Sequence, residues 1–186
     1  MIAAGEVTAA NAGVLVTKLL QIALGYVYDK NKNVIKLDND ARLDRMIDDV
    51  HACADKVIIF TPYIHSLKGI MERLTLDGID CVHVSGDTPQ GKRSEIFNLF
   101  QNTNKYKVLA AHPRCMSHGL TLTAATLIIW FGPVLSLDTF LQANARISRV
   151  GQKKKQLIHS YYGSLQEKKI INMLRNREVV QNRLLE

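Results

Sequence analysis

The sequence predicts an α/β domain in which a parallel β-sheet is covered by helices on both faces. Three observations carry this. Short apolar runs rich in β-branched residues recur at residues 56–61, 79–84, 107–111, 127–131 and 156–162. Helix-periodic stretches bounded by capping and stop residues separate them. Strands that alternate with helices are joined by crossovers, and such strands lie parallel and buried on both faces.

Each element has a local reason. Residues 7–24 are rich in Ala and Leu and read as helix, and residues 37–53 carry Leu43, Met46, Ile47 and Val50 at helical spacing. Lys56-Val-Ile-Ile-Phe-Thr61 reads as a buried strand stopped by Pro62. A helix over residues 64–76 stops at Gly78, the usual position for a left-handed cap. After the strand at 79–84, Thr88-Pro89 offers an N-cap and a first-turn proline for a helix running to Phe100. A helix over residues 136–151, closed by Gly151, lies between the last two strands. Ser164-Leu-Gln-Glu167 is a capping box that opens a final basic helix. The expected organisation is a helical lead-in (1–55), a core (56–163) and a C-terminal helix packed on it (164–186).

Composition narrows the class. At 186 residues with 47% hydrophobic content, the chain suits one globular domain. It contains no apolar run of about 18 residues, the length that a membrane span requires. The first residues lack the basic region and apolar stretch of a signal peptide. Cys53, Cys81 and Cys115 are odd in number and widely spaced, which fits free thiols in a reducing compartment and a cytoplasmic location. The net charge of +7 admits a polyanionic partner, and equally a solvated lysine-rich face.

The most informative stretch is Gln142-Ala-Asn-Ala-Arg146-Ile-Ser-Arg149-Val-Gly-Gln152. On one continuous helix, Gln142, Arg146 and Arg149 fall within an arc of roughly 60°. Phe140, Ala143, Ile147 and Val150 would then point about 110° away. Such a helix docks by its apolar face and presents guanidinium forks, which match phosphate oxygens in charge and geometry. The competing reading is a surface helix whose arginines pair with neighbouring carboxylates.

Gly86-Asp-Thr-Pro-Gln-Gly91-Lys92-Arg93 nearly satisfies the phosphate-loop pattern. Arg93 stands where a Mg²⁺-binding hydroxyl belongs, however, and Pro89 removes an amide, so the expectation is a capped turn. His112 and His118 flank Cys115 as three candidate zinc ligands without a fourth, and they read as loop residues. Arg114 and Ser117 are candidate phosphate contacts. Trp130 lies within a strand and reads as core.

With this strand order behind it, the 142–152 stretch resembles the C-terminal RecA-like lobe of Swi/Snf-type ATPases, within the superfamily 2 helicases. Their Q-A-x-x-R-x-x-R-x-G-Q signature is met at Gln142, Ala143, Arg146, Arg149, Gly151 and Gln152. Lys56-Val-Ile-Ile-Phe resembles their motif IV, Ser85-Gly86-Asp87-Thr88 with Arg93 their G-S/D-T…R turn, and Gly119-Leu-Thr-Leu122 their motif V. The sequence departs from the family at residues 112–117, where both motif V glycines are replaced. It departs again at Gly132, where an aspartate is usual, and at Leu135-Ser136-Leu137 in place of W-N-P. These departures resemble a bacterial or phage branch.

The resemblance implies a RecA-like single lobe that works as the second half of an ATP-dependent DNA translocase or helicase. ATP and Mg²⁺ would be held mainly by an N-terminal RecA-like lobe in the same or a separate chain. Arg146 and Arg149 would act as arginine fingers with Gln142 beside them, and Gly119 and Thr121 would lie next to the nucleotide. Arg114, Ser117, His118, Thr88 and Arg93 would contact DNA. The reading from another class is a non-catalytic RecA-like module that binds nucleic acid or a protein.

Overall fold

The computed structural model describes residues 12–116, 121–149 and 151–185. Helix α1 (Ala12–Ala23) leads into a hairpin of β1 (Tyr26–Tyr28) and β2 (Val34–Lys36), followed by α2 (Asp40–Ala52). The core then runs β3 (Lys56–Phe60), α3 (Ile64–Leu76), β4 (Cys81–Val84), α4 (Gln90–Asn102), β5 (Val108–Ala111) and a 3-10 turn (Pro113–Met116). It closes with β6 (Ala125–Trp130), α5 (Leu137–Asn144), β7 (Leu157–Ser160) and α6 (Leu165–Leu185). The five long strands form one parallel sheet in the order β4-β5-β3-β6-β7. The predicted α/β fold with helices on both faces is therefore present.

Strand alternation sorts the core into two layers. Ile58, Phe60, Leu109, Ile128 and Trp130 face α1, α4, α5 and α6, while Val57, Ile59, Val108, Leu127 and Ile129 face α2 and α3. Trp130 is 1% exposed, and its indole Nε1 donates to Asn144 Oδ1 at 2.9 Å, so the one tryptophan is core as expected. Ser164 and Glu167 form the anticipated capping box. The Glu167 amide donates to Ser164 Oγ at 3.2 Å, and Glu167 Oε2 accepts from the Ser164 amide at 3.1 Å. The same fully buried carboxylate pairs with Arg42 at 2.8 Å and joins α6 to α2.

Three local expectations change. The β1–β2 hairpin fills a stretch for which the sequence reading had no element. Its turn is built by Asp29 Oδ1, which accepts from the Asn31 and Asn33 amides at 2.8 Å. Thr88 does not cap α4: its hydroxyl accepts from the Ser85 amide at 3.0 Å, and Pro89 occupies the cap position. The helix expected over residues 136–151 starts on Ser136 as predicted, with Ser136 Oγ accepting from the Thr139 amide, but α5 ends at Asn144. Gly132, where the family has aspartate, also acquires a reason. A Cβ there would lie 2.5 Å from Leu24 Cδ1, because the end of α1 packs into that space.

Candidate functional site

The early end of α5 redraws the arginine face. Gln142 lies on the helix, whereas Arg146 and Arg149 lie in the turn and bend that follow, so no single helical arc carries all three. Phe140, Ala143 and Ile147 are buried as expected, but so is Arg146, at 5% exposure. Arg149 is exposed. Gln142 is exposed too, and its Nε2 donates to both oxygens of Asp138, at 2.9 and 3.0 Å.

Physical causes for the turn are visible in its hydrogen bonds. The Arg146 carbonyl accepts from the Leu122 amide at 2.9 Å, so a long-range bond replaces the helical continuation. Gln152 then acts as a clasp. Its Nε2 donates to the carbonyls of Thr123 at 3.0 Å, Ala125 at 3.3 Å and Ile147 at 3.3 Å, and its Oε1 accepts from the Lys154 amide at 3.0 Å. The arginine turn is thereby fastened to the segment that enters β6. Thr121 belongs to that segment, and Arg149 Nη1 donates to its hydroxyl at 3.5 Å.

The structure thus brings together Arg146, Arg149, Thr121 and Gln152 at the amino end of β6. Parallel sheets more often bind ligands at their carboxyl edge, where the loop after Ala111 and the segment leading from Phe131 into α5 begin. The arginine cluster lies at the opposite edge. Its electrostatics suit an anion. Burial, and then the charge of neighbouring Arg149, push the Arg146 guanidinium below its ordinary range. Two cations held close are relieved by an incoming phosphate.

Arg114 lies on the other edge. It borders a cleft of about 290 Å³ formed by the loops after β3, β5 and β6, together with Tyr63, His112, Ser136 and Thr139. Burial and the Arg114 charge push the His112 imidazole below its usual range. His112 Nδ1 accepts from the Arg114 amide at 3.3 Å, and the single N–H of the neutral ring, on Nε2, is taken by the Pro62 carbonyl. Burial pushes the Tyr63 phenol up to about 12, so it too stays a neutral donor.

The near-phosphate loop holds its own cation. Arg93 Nε donates to the Thr88 carbonyl at 2.7 Å, and its Nη2 donates to the Gly86 carbonyl at 2.8 Å. A phosphate cradle presents amides to an anion, whereas this turn presents carbonyls to a guanidinium. Thr88 and Arg93 lie in the turn after β4, at the same sheet edge as the Arg114 turn after the neighbouring β5, and the Arg93 charge is felt at Cys115. Ser117, His118 and Gly119 lie outside the described residues. Among the described residues, no three His, Cys, Asp or Glu side chains gather as a metal site, and no helix is long and apolar enough to cross a membrane.

The wording of the sequence named Gln152 without showing its task. Its contribution is three-way bonding to backbone carbonyls, two of them 27 and 29 residues away in the chain, which no local pattern encodes. Asn144 was missed altogether, since its partner is the indole of Trp130 on β6.

Comparison with known proteins gives the same picture. The helicase conserved C-terminal domain matches residues 38–151. The chain is 30% identical over 114 residues to the SNF2 domain-containing protein CLASSY 3 of Arabidopsis thaliana, covering 58% of this chain and 8% of that protein. It is 29% identical over 126 residues to a SWI/SNF-related matrix-associated actin-dependent regulator of chromatin subfamily A-like protein 1 of Drosophila melanogaster, covering 67% and 17%. The chain therefore spans under a fifth of the length of either relative, and further relatives come from Mycoplasma pneumoniae and an insect virus. In fold it is similar to the C-terminal part of the Fun30 ATPase domain, with a TM-score of 0.65 and 21% identity over 75% of this chain and 48% of that one. With the matched domain spanning well over half of its residues, this chain belongs to the helicase conserved C-terminal domain family, and the proteins it is similar to include SNF2 and SWI/SNF-related ones.

Proposed function

We propose that this chain is the second motor lobe of an ATP-dependent DNA translocase or helicase and completes a nucleotide site that an N-terminal lobe begins. The observation that carries the reading is the contact of exposed Arg149 with Thr121, on a turn clasped by Gln152 to the start of β6. A guanidinium used on a transferring phosphoryl group must be reachable and held in register, and this arrangement supplies both. Arg149 is the finger. It would neutralise charge on the γ-phosphoryl oxygens as the bond to the bridging oxygen breaks and water adds to phosphorus. Arg146, buried beside it, raises the local positive potential and supports the turn. Thr121 would orient Arg149 next to the nucleotide, and Gln142, on α5, would turn from Asp138 to the phosphate or to an arginine when the lobes close.

ATP and Mg²⁺ would be bound chiefly by the partner lobe, since the turn holding Arg93 lacks the amides and hydroxyl for that task. Bound Mg²⁺ would supply charge neutralisation on the phosphate oxygens. The carboxyl-edge cleft would track the DNA backbone, with Arg114 and the neutral donor Tyr63 meeting phosphate oxygens and His112 bracing the Arg114 turn. Ser117 and His118 would extend that contact. Thr88 and Arg93 would hold their turn and reach DNA only at its margin. The replaced residues 112–117 fit a bacterial or phage branch of the family.

A steady-state assay with and without duplex DNA tests the division of labour. The chain alone should hydrolyse no ATP, and Lys92→Ala should leave that unchanged. Joined to an N-terminal lobe that carries the nucleotide loop, it should restore DNA-stimulated turnover. Turnover by the chain alone, abolished by Lys92→Ala, would overturn the reading.

A further inference from the structure

Strand β7 ends the sheet. Among the described residues its only strand neighbour is β6. The Tyr161 amide donates inward to the Trp130 carbonyl at 3.0 Å, so by strand alternation the backbone groups of Ile158 and Ser160 point outward. Open edges of this kind are templates for another strand, and folded proteins ordinarily blunt them with charge, proline or a cover. Here the edge residues are apolar and accessible: Leu157 is 47% and Ile158 40% exposed, with Tyr162 at 54% just beyond.

A groove of about 800 Å³ follows this edge between α2 and α6. Its walls include Arg42, Arg45 and Arg175 and no carboxylate residue. Two of the acids near it are consumed in the fold, and exposed Asp38 and Asp40, beside Asn39, do not line it. Glu167 is fully buried against Arg42 at 2.8 Å, and Asp49 is held by Arg45 at 3.0 Å, His159 at 2.8 Å and the Tyr161 hydroxyl at 2.6 Å. Arg45 keeps 64% of its side chain exposed despite that pair, and Arg175 is exposed on the opposite wall. A strand template is therefore flanked by positive charge on both sides.

We propose that the open edge of β7 is a docking site for an extended acidic segment of a partner protein. The segment would add to the sheet as a sixth strand and place carboxylates against Arg45 and Arg175. Each alternative is less well matched. Nucleic acid would meet the arginines and could accept from an outward amide, but it carries no alternating ladder of donors and acceptors in register with the amides and carbonyls of Ile158 and Ser160. A second copy would bring two arginine-walled edges together on a chain that already carries +7. An acidic strand satisfies the backbone, the apolar side chains and the charge at once.

The test uses the full chain and a labelled peptide of about ten residues, the upper end of ordinary strand length, alternating Glu and Val with blocked ends. Its fluorescence anisotropy is read at low ionic strength. The Glu-Val peptide should bind. A Lys-Val counterpart, and a Glu-Val peptide N-methylated so that neither edge can donate, should each bind at least about tenfold more weakly. Arg175→Glu should weaken the Glu-Val peptide by about tenfold while the melting curve stays in place. Equal binding of the N-methylated peptide would show that charge alone is read and would overturn the proposal. So would displacement of the peptide by oligothymidine, or a concentration-dependent dimer in sedimentation that Arg175→Glu abolishes.

Discussion

Replacing Gln152 with alanine removes one carboxamide that donates to three carbonyl oxygens, those of Thr123, Ala125 and Ile147, and accepts from a fourth backbone group, the Lys154 amide. Two N–H bonds shared among three acceptors cannot all be full strength. At about 0.5–1.5 kcal/mol each, they contribute about 1–3 kcal/mol, and acceptors left unpaired add to the loss. The sum is about 2–3 kcal/mol. For a chain of this length that corresponds to a fall in Tm of about 4–12 °C, measured by circular dichroism on the purified chain. Gln152→Glu is the sharper probe. It preserves shape but turns a carboxylate oxygen toward three carbonyl oxygens, so it should melt below the alanine variant. If Gln152→Glu melted at or above the unaltered chain, the clasp would not be what holds the arginine turn against β6.

Two further outcomes follow from the electrostatics. Burial pushes the Asp49 carboxyl up, but hydrogen bonds from Tyr161, His159 and Arg45 outweigh it and hold the group below its ordinary value. Its contribution is therefore fully present above the unfolded pKa of about 3.9 and is lost as pH falls through the lower folded value. Asp49→Asn should cost about 1–3 kcal/mol at pH 7, because charge-assisted hydrogen bonds to a buried carboxylate are lost while the exposed Arg45 can turn to solvent, and should flatten urea midpoints measured below pH 5. DNA binding by the lobe should be weak, should fall linearly with salt on log–log axes and should differ little among sequences of one length. Arg114→Ala should reduce the salt slope by about one contact, and a salt-independent affinity would refute the phosphate reading of the carboxyl-edge cleft.

Much of the fold was legible because its strands are buried on both faces and so carry unbroken apolar runs. Residues 56–60 and 125–130 differ from their surroundings in composition alone, and Gly78 and the Ser164–Glu167 box mark helix ends by local chemistry. What was not legible depended on distant partners. Residues 136–151 read as one helix because nothing local stops it before Gly151. The stop comes from Leu122, which takes the Arg146 carbonyl, and from Trp130, which takes Asn144 Oδ1. The same contacts bury Arg146, which helical geometry placed on the exposed face. Thr88 looked like a cap because its hydroxyl could reach α4, but the Ser85 amide claims it. The β1–β2 hairpin did carry a signal, since Tyr26-Val-Tyr28 and Val34-Ile-Lys36 flank an Asp/Asn-rich turn. Of the site, the residue types and spacing were readable. Their placement at the amino end of β6 was not, because it is set by where the crossover from β5 re-enters the sheet.

Arg149 is the residue on which the motor assignment rests, and its removal is the most direct test. With the chain joined to an N-terminal ATP-binding lobe, Arg149→Ala should lower DNA-stimulated kcat by roughly 10²-fold or more, within the range of arginine-finger contributions, and weaken nucleotide binding far less. Arg149→Lys should also be severely impaired, because a point charge does not reproduce the planar fork. The exposed Lys36→Ala on β2 should leave turnover unchanged. Arg149 is exposed, so its removal should shift Tm little, in contrast to Gln152→Ala. If Arg149→Ala kept full DNA-stimulated turnover while losing several degrees of Tm, the arginine would be a structural element of the turn and the arginine-finger account would be wrong.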